Sequence, residues 1–290
     1  MNSKQLAEEI TALIIKELES GSVPWRKPWN AGGFMPTSLT TGKQYGGINT
    51  LILSIMKERA GYKYPLWITF NETNKRGGQV LKGSKSVEII KWGTYDKVIE
   101  GETVKRFYMR SHRVFNIAQT TLEVPAEYSL DREPVAVPVA LDSIVAGYVN
   151  KPEIFHRAGD QAYYSPLTDS ITIPLLEQFE NATNYAYTLC HEMTHSTGHQ
   201  SRLDRFSEED KPAVFGSPVY AKEELVADIG ANILLSSAGV ALDITNSGAY
   251  IKGWLKALQN DSNLIVSAAT KAQKAADYIL GIKVKEEVAA

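Results

Sequence analysis

The stretch LCHEMTHSTGH, residues 189–199, decides the fold expected for this chain. His191 and His195 are four residues apart, so on a helix both imidazoles lie on one face and can reach a single ion. Glu192 follows the first histidine directly, and its carboxylate would project beside that ion without binding it. In zinc peptidases a glutamate at this position takes a proton from the attacking water. The spacing therefore predicts a metal-binding helix with Glu192 as the general base.

A catalytic zinc site needs a third protein ligand, and the metzincin pattern HExxHxxGxxH does not supply it here. Gly198 fits that pattern, but Ser201 occupies the position of the third histidine. No methionine follows Met193 in the sequence, so the Met-turn of that group is also missing. His199 comes two residues too early to be this ligand. We interpret His199 as a residue beside the metal site or one that faces the substrate.

The segment KEELVAD, residues 222–228, offers carboxylates on a following helix. Glu224 and Asp228 share one helical face because they are four residues apart. We expect Glu224 to be the third metal ligand. Asp228 would accept the second ring N–H of a ligating histidine and so fix its tautomer. Glu223 is the alternative ligand, on a face better suited to packing. Zn2+ suits these ligands, and Mn2+ or Co2+ could also occupy them.

The chain as a whole predicts an α+β fold with two domains. Residues 1–125 form a small α+β domain, residues 126–137 a linker rich in proline and charge, and residues 138–290 a mostly helical domain with a small sheet. Apolar spacing predicts these helices: 3–20, 46–60, 138–150, a long one ending near 197, 220–239, 248–260 and 263–281. Strands are expected over 65–70, 86–92, 105–117 and within 162–174.

The segment DSITIP, residues 169–174, lies shortly before the metal helix. In zinc peptidases an edge strand in this place pairs with an extended substrate. Addition of a peptide to this segment as a further strand is therefore a hypothesis.

Charge is distributed unequally between the two halves. Residues 1–125 carry 18 Lys and Arg against 11 Asp and Glu, whereas residues 126–290 carry 13 against 22. Four of the five tryptophans also lie in the basic half. A cationic surface with flat side chains on which bases stack is what single-stranded nucleic acid requires. We therefore interpret the basic half as a DNA-binding domain, the alternative being core aromatic residues under a solvated lysine surface.

The candidate DNA-binding residues lie in a proline-rich loop, a helix start, a glycine turn and a basic strand. The loop contains WRKPW, residues 25–29, and the helix start contains YGGIN, residues 45–49. The residues expected to contact DNA are Trp25, Arg26, Lys27, Trp29, Asn49, Lys82, Lys85, Arg110 and Arg113.

The combined motifs resemble those of a known family. The PW-containing loop, YGGIN, WITF followed by GG, HEMTHSTGH and YAKEELVAD together resemble ArdC-type antirestriction proteins of conjugative plasmids. The N-terminal region is also similar to that of TraC-type plasmid primases. The resemblance runs from about residue 3 to residue 281. It implies a domain that binds single-stranded DNA, a zincin-like metallopeptidase domain with His191, His195 and Glu224 as ligands, and protection of incoming plasmid DNA from host restriction.

Two other functions remain open from the sequence. One is a non-catalytic protein that coats single strands and holds a structural or regulatory metal. The other is an intracellular metalloprotease whose N-terminal domain binds a protein partner. Single-stranded DNA is the partner that we expect, and a host restriction-related protein or a peptide substrate is a further candidate. The single cysteine, Cys190, and the lack of any long apolar run favour a cytoplasmic protein without a membrane span.

Overall fold

The computed structural model describes residues 3–25, 35–99, 102–128, 135–206, 218–240 and 248–282 of the chain. These residues fall into two structural units. The first unit is built around Pro36–Ser129, and the second contains Glu8–Met35 together with Leu130–Lys283. Within the described ranges, no helix is long and apolar enough to cross a membrane.

This division differs from the predicted one, which placed all of residues 1–125 in the basic domain. Glu8–Met35, and with it most of α1 (Ser3–Glu19), belongs to the second unit. Thr11 of α1 donates a hydrogen bond from Oγ1 to the carbonyl of Ser262, at 2.6 Å. The helix itself was predicted from its apolar face, but the sequence carried no sign of where that face would pack.

The first unit is a four-stranded sheet with two helices. Its helices are α2 (Ile48–Ala60) and α3 (Phe70–Lys75). Its strands are β1 (Thr37–Ser38), β2 (Leu66–Ile68), β3 (Val87–Ile99) and β4 (Glu102–Asn116), in the order β1-β2-β4-β3. Strands β3 and β4 form one long antiparallel hairpin, in which β3 runs beyond the predicted 86–92 and β4 begins before the predicted 105–117.

The strand predicted over 65–70 ends earlier than expected, because Thr69 caps a helix. Strand β2 stops at Ile68, and the Oγ1 atom of Thr69 accepts a hydrogen bond from the backbone N–H of Glu72 at 3.3 Å. A threonine at this position satisfies one of the free N–H groups of a first helical turn. Phe70 therefore begins α3 instead of continuing the strand.

Asn49 has a structural role in this unit, and its contact with DNA stays a prediction. Its side-chain amide donates to the carbonyl of Ile90 at 2.7 Å, and its Oδ1 accepts the N–H of the same residue at 2.8 Å. This pair of hydrogen bonds docks the start of α2 onto strand β3. These two bonds give Asn49 a structural role that explains its position without a contact to DNA.

The second unit packs helices around a small mixed sheet. The helices beyond α1 are α4 (Val137–Gly147), α5 (Ala182–Ser196), α6 (Pro218–Ser237), α7 (Gly248–Asn260) and α8 (Leu264–Ile279). The strands are β5 (Glu153–His156), β6 (Tyr163–Ser165) and β7 (Ser170–Ile173). Helix α6 lies at the centre: every residue from Glu224 to Ser236 is buried, against α5 and α8.

The hypothesis that residues 169–174 form an edge strand is wrong. Strand β7 is the central strand of its sheet, with β5 parallel on one side and β6 antiparallel on the other. Its backbone groups are thus paired on both sides, which leaves no edge for an added peptide. The parallel partner β5 was not predicted, because residues 153–156 show no clear alternation of apolar and polar residues.

Candidate metal centre

Helix α5 presents the two histidines of the HExxH motif towards one point. Asn181 caps this helix by accepting the backbone N–H of Asn184 on its side-chain oxygen, at 2.8 Å. The Nε2 atoms of His191 and His195 lie 3.1 Å apart, and their rings are nearly perpendicular at 82°. A metal ion needs two ring nitrogens directed at one point. Side-chain packing alone does not require this arrangement.

Helix α6 brings Glu224 to the same point. Its Oε2 atom lies 3.4 Å from Nε2 of His191, and its Oε1 atom lies 3.3 Å from Nε2 of His195. Among the described residues, these three side chains form the group whose ligand atoms could hold a metal ion. Glu224, the ligand that the sequence interpretation preferred, thus faces the Nε2 atoms of both histidines.

The spacing of these atoms fits a tetrahedral ion. Ligands that lie about 2.0–2.1 Å from zinc in tetrahedral geometry are about 3.3 Å from one another. The separations of 3.1 to 3.4 Å between the His191, His195 and Glu224 atoms match this value. Two imidazoles and one carboxylate also leave a fourth position open, as catalytic zinc sites do.

The site attracts positive charge. Burial opposes the protonation of His195, but hydrogen bonds to Glu223 and Glu224 outweigh it and raise its pKa to about 10. Burial likewise favours the neutral acid at Glu224, yet the two histidines hold the pKa of that carboxyl well below its usual range. A buried carboxylate of this kind is stabilised by a cation, and a metal ion can take the place of the proton on His195.

Glu192 is buried beside the three ligand atoms but is not one of the group. Its side chain is 7% exposed, and its Oε2 atom accepts the backbone N–H of Tyr164 at 2.8 Å. Strand β6 therefore holds one oxygen of this carboxylate in place. Glu192 has the position expected of a base, although that role stays a prediction.

Glu223 contacts the outer nitrogen of a histidine, a function that we had expected of Asp228. Nδ1 of His195 lies 3.2 Å from Oε1 of Glu223. Arg205 binds both oxygens of Glu223, with Nη2 to Oε1 at 2.6 Å and Nε to Oε2 at 3.1 Å. Arg205 also donates to Oγ1 of Thr197 at 2.8 Å. Histidine ligands commonly use such a carboxylate to fix their tautomer, so that Nε2 is left for the metal.

Asp228 instead receives hydrogen bonds from two aromatic side chains. Nε1 of Trp25 donates to its Oδ2 at 2.5 Å, and the hydroxyl of Tyr187 donates to its Oδ1. We expected Asp228 to accept the ring N–H of a ligating histidine. For His195, the carboxylate beside that N–H is Glu223 instead. No pattern of local spacing could have indicated this, because Arg205 and Trp25 come from distant parts of the chain.

Proteins of known family and structure resemble the whole chain. Residues 4–115 match a family model described as the N-terminal domain of anti-restriction factor ArdC, and residues 142–271 match one described as a zincin-like metallopeptidase. The metal-free crystal structure of the antirestriction ArdC protein from plasmid R388 is 38% identical, covering 94% of this chain and 96% of that chain with a TM-score of 0.76.

This chain belongs to the ArdC family. The Mn(II)-bound structure of the same R388 protein is 37% identical, with 97% of this chain and 98% of that chain covered and a TM-score of 0.78. The predicted α+β fold with a zincin-like second part is confirmed. The zincin-like match and the Mn(II)-bound relative indicate a divalent metal for this site, in agreement with the ligand geometry.

Several relatives of ArdC proteins are longer than this chain. Two proteins from Escherichia coli named DNA primase TraC are 34% and 36% identical over 98% of this chain. The chain spans 20% and 28% of their respective lengths. An uncharacterised protein of Sinorhizobium fredii, y4eC, is 30% identical across 94% of this chain and 90% of its own length.

In this ArdC family member, the residues expected to bind DNA are not all at a surface. Trp25 is fully buried in the second unit, where its ring packs edge-on against Trp254 with centroids 5.4 Å apart. Its assignment as a stacking platform for bases is therefore wrong. Arg26, Lys27 and Trp29 lie outside the described residues. Of the basic residues predicted to contact DNA, four are exposed in the first unit: Lys82, Lys85, Arg110 and Arg113.

Glu223→Gln should weaken metal binding without removing it. The neutral amide keeps the shape of Glu223 but gives Nδ1 of His195 a weaker acceptor, and Arg205 loses its ionised partner. Changes to such partners typically cost about 10- to 100-fold in metal affinity. Competition with a chromophoric chelator measures this, with Glu177→Gln as the matched change at an exposed site. An affinity equal to that of the unchanged protein would show that Glu223 does not support the site.

Gly230→Ala should disturb the metal site by disrupting the packing of α6 against α5. A Cβ atom at Gly230 would lie 2.5 Å from Cγ2 and 2.8 Å from Oγ1 of Thr194, so α5 and α6 would have to separate. Overpacking of this kind costs about 1–3 kcal/mol, and it moves Glu224 relative to the histidines. We expect a lower Tm and weaker metal binding.

Gly253→Ala on α7 is the control, because a Cβ there meets nothing within 4 Å. It should leave both quantities unchanged or raise the stability slightly. Adding Thr194→Ser to Gly230→Ala removes Cγ2 and should restore part of the loss. If Gly230→Ala binds metal as tightly as Gly253→Ala does, the close approach of α5 and α6 does not set the position of Glu224.

Arg202 joins three segments around the metal helix. Its Nε donates to the carbonyl of Ser196 at 2.7 Å, and its Nη1 donates to Oδ2 of Asp169 at 3.1 Å. The hydroxyl of Tyr164 also donates to Asp169, at 2.8 Å. His199 lies at the margin of this network, with Nδ1 4.0 Å from Asp169 Oδ2. These contacts fix the turn between β6 and β7, and hence the strand that holds Glu192.

Asp169→Asn should lower stability at neutral pH but not in acid. Burial favours protonation of Asp169, but hydrogen bonds from Arg202 and Tyr164 outweigh it and hold the pKa of the carboxyl below its usual range. A depressed pKa contributes stability above the unfolded value, about 3.9, that is lost as the pH falls through the folded value. Urea unfolding should show a deficit of about 1–2 kcal/mol above about pH 5 that shrinks below about pH 4. Asp160→Asn, an exposed control, should show no such pH-dependent difference.

Proposed function

We propose that the chain is an antirestriction protein that binds single-stranded DNA with its first unit and hydrolyses peptide bonds with its second. Membership of the ArdC family supports the antirestriction role, since the R388 protein is an antirestriction protein by name. The observation that carries the peptidase assignment is Glu192, a buried carboxylate that acts electrostatically on His195 and is not one of the three ligands. A metal with a purely structural role has no use for such a group.

His191, His195 and Glu224 would hold the metal, which we take to be zinc, with Mn2+ and Co2+ as alternatives. When bound, a divalent ion polarises a carbonyl and acidifies a water molecule. Glu192 accepts the proton of the attacking water and delivers it to the leaving nitrogen. The backbone N–H of Tyr164 holds one carboxylate oxygen, which leaves the other to carry the proton. Glu223, held by Arg205, accepts the N–H at Nδ1 of His195 and so leaves Nε2 unprotonated for the metal.

The DNA-binding part of the proposal rests on charge. Residues 36–129 carry 14 Lys and Arg against 8 Asp and Glu, and Lys82, Lys85, Arg110 and Arg113 are exposed there. A cationic surface of this kind releases counterions from a nucleic acid when it binds. The affinity for a single strand should then fall steeply with salt, by about 0.7 logarithmic units per tenfold salt for each phosphate contacted.

One observation favours a second function, a non-catalytic DNA-binding protein. Glu192 already accepts a backbone hydrogen bond, so the carboxylate could serve to anchor strand β6 to the metal helix. In that case the metal would stabilise the second unit, and protection would come from coating of the DNA.

The antirestriction role is tested by plasmid transfer into a restricting host. An unmodified plasmid should establish more transformants in recipients that produce the chain than in recipients that carry an empty vector, and the difference should vanish in a host without restriction. Equal numbers in the restricting host would refute the role. Binding of the purified full chain to a single-stranded oligonucleotide, across a salt series, tests the DNA-binding part separately.

A further inference from the structure

The first unit needs a flat side chain for base stacking, and the tryptophans do not provide it among the described residues. Trp25 is buried in the other unit, and Trp67 is fully buried within strand β2. The side chain of Trp92 lies outside the described residues. Single-strand binding normally combines cationic groups with an aromatic platform, so the unit should present another ring.

Phe70 is that ring. It is 53% exposed, whereas the tyrosines whose side chains are described in this unit are only partly exposed. Thr69 caps the short helix α3 through two hydrogen bonds. Its Oγ1 accepts the N–H of Glu72, and its carbonyl accepts the hydroxyl of Thr73 at 2.9 Å. The backbone that carries Phe70 is therefore held in a defined conformation.

Phe70 lies beside a cation. Strand β2 pairs with β4 so that Trp67 lies opposite Asn116 and Ile68 opposite Phe115. Phe70 follows Ile68 by two residues at the start of α3, and Arg113 precedes Phe115 by two residues on β4. Both residues line the same depression in the surface, and Arg113 is exposed there.

The depression has the size and lining of a site for one nucleotide. Its volume is about 590 Å3, within the range of about 300–1,000 Å3 typical of small-ligand sites. Its charged lining consists of Arg113, Lys75 and Glu72, and Lys75 forms an exposed ion pair with Glu72 at 2.7 Å. His112 and the side-chain amides of Asn71 and Asn74 add hydrogen-bonding groups. The remaining positive charge is on Arg113, next to the ring.

We propose that this depression, lined by Phe70, His112 and Arg113, binds one nucleotide of a single DNA strand. The base stacks on the ring of Phe70, and the guanidinium of Arg113 contacts the adjoining phosphate. The excess of cationic residues across the unit selects a polyanion as the occupant. This inference rests on the proposed DNA binding. It places base stacking at Phe70, whereas the sequence analysis expected the tryptophans of the WRKPW loop to provide it.

The test is equilibrium binding of a fluorescent oligothymidylate to the full chain in a salt series. Phe70→Ala should weaken binding about 5- to 150-fold, the usual effect of removing one stacked base, with little change in the salt slope. Phe70→Trp should retain binding. Arg113→Ala should weaken binding and reduce the slope by about 0.7, the value for one phosphate on a single strand. Leu81→Ala is the matched control, since Leu81 is 47% exposed in the same unit but outside the depression.

Each outcome has a definite meaning. If the unchanged protein binds the strand and Phe70→Ala binds equally well, the site is wrong while the DNA-binding function stands. If the unchanged protein does not bind the strand, the site and the DNA-binding function are both refuted. Tighter binding of single-stranded RNA, lost in Phe70→Ala, would make RNA the occupant. If thymidine monophosphate binds the depression as tightly as the oligonucleotide, the site serves free nucleotides. Either of these last two results overturns the proposal.

Discussion

Glu224→Ala is expected to abolish stoichiometric binding of divalent metal by the purified protein. The change removes one of three ligand groups, and Nε2 of His191 and His195 each lose a carboxylate oxygen that lies within 3.4 Å. The loss should exceed the about 10- to 100-fold expected for Glu223→Gln, which alters only a partner of a ligand. Elemental analysis after dialysis against zinc, and separately against manganese, gives the metal content.

The matched control is Glu177→Ala, which removes an exposed glutamate from the same structural unit. This variant should keep the full metal content. Thermal unfolding shows whether the altered chain is folded: adding metal should raise the Tm of the control but not that of Glu224→Ala, because a ligand stabilises only the state that binds it. Full metal content in folded Glu224→Ala would mean that another acid, with Glu223 the nearest candidate, completes the site.

Glu192→Gln is expected to remove peptide hydrolysis while metal content and DNA binding stay intact. The amide oxygen can still accept the N–H of Tyr164, so the local structure is kept, but the side chain can no longer take a proton. The loss of a general base lowers rates by about 10²- to 10⁴-fold. Cleavage of denatured fluorescent casein by the metal-loaded chain is the direct assay.

The same variant decides between the two proposed functions. If plasmid protection is lost in Glu192→Gln although metal and oligonucleotide are still bound, hydrolysis is part of antirestriction. Full protection by this variant would favour the non-catalytic protein that coats DNA. Glu177→Gln, the same chemical change at an exposed position, should protect as well as the unchanged chain.

The elements were predictable where local periodicity determines them. The apolar faces of α1 and α8 follow the helical repeat, and the HExxH spacing indicates one helical face without knowledge of any partner. The choice between Glu223 and Glu224 could only be a preference. It depends on how α6 is rotated against α5, where Gly230 approaches Thr194 so closely that a Cβ would clash.

Other parts of the site depend on contacts between distant segments. Arg205 lies 18 residues from Glu223, and Arg202 lies 33 residues from Asp169. An arginine in a polar loop gives no sign of its eventual partner. Trp25 was misread for the same reason, because a tryptophan next to Arg26 and Lys27 looks like a stacking residue until the fold places it against Trp254.

The hydrogen bond from Trp25 to Asp228 has a consequence for how this protein can be divided. Asp228 lies one turn beyond Glu224 on α6, so a segment from the start of the chain helps to build the environment of the metal helix pair. A fragment that begins at residue 130 would lack this tryptophan and the whole of α1. Recombination in evolution faces the same restriction, and the two TraC proteins match 98% of the chain, from its first helix to its last. The second unit is built from segments on both sides of Pro36–Ser129, so Glu8–Met35 and Leu130–Lys283 have to be kept together for its fold.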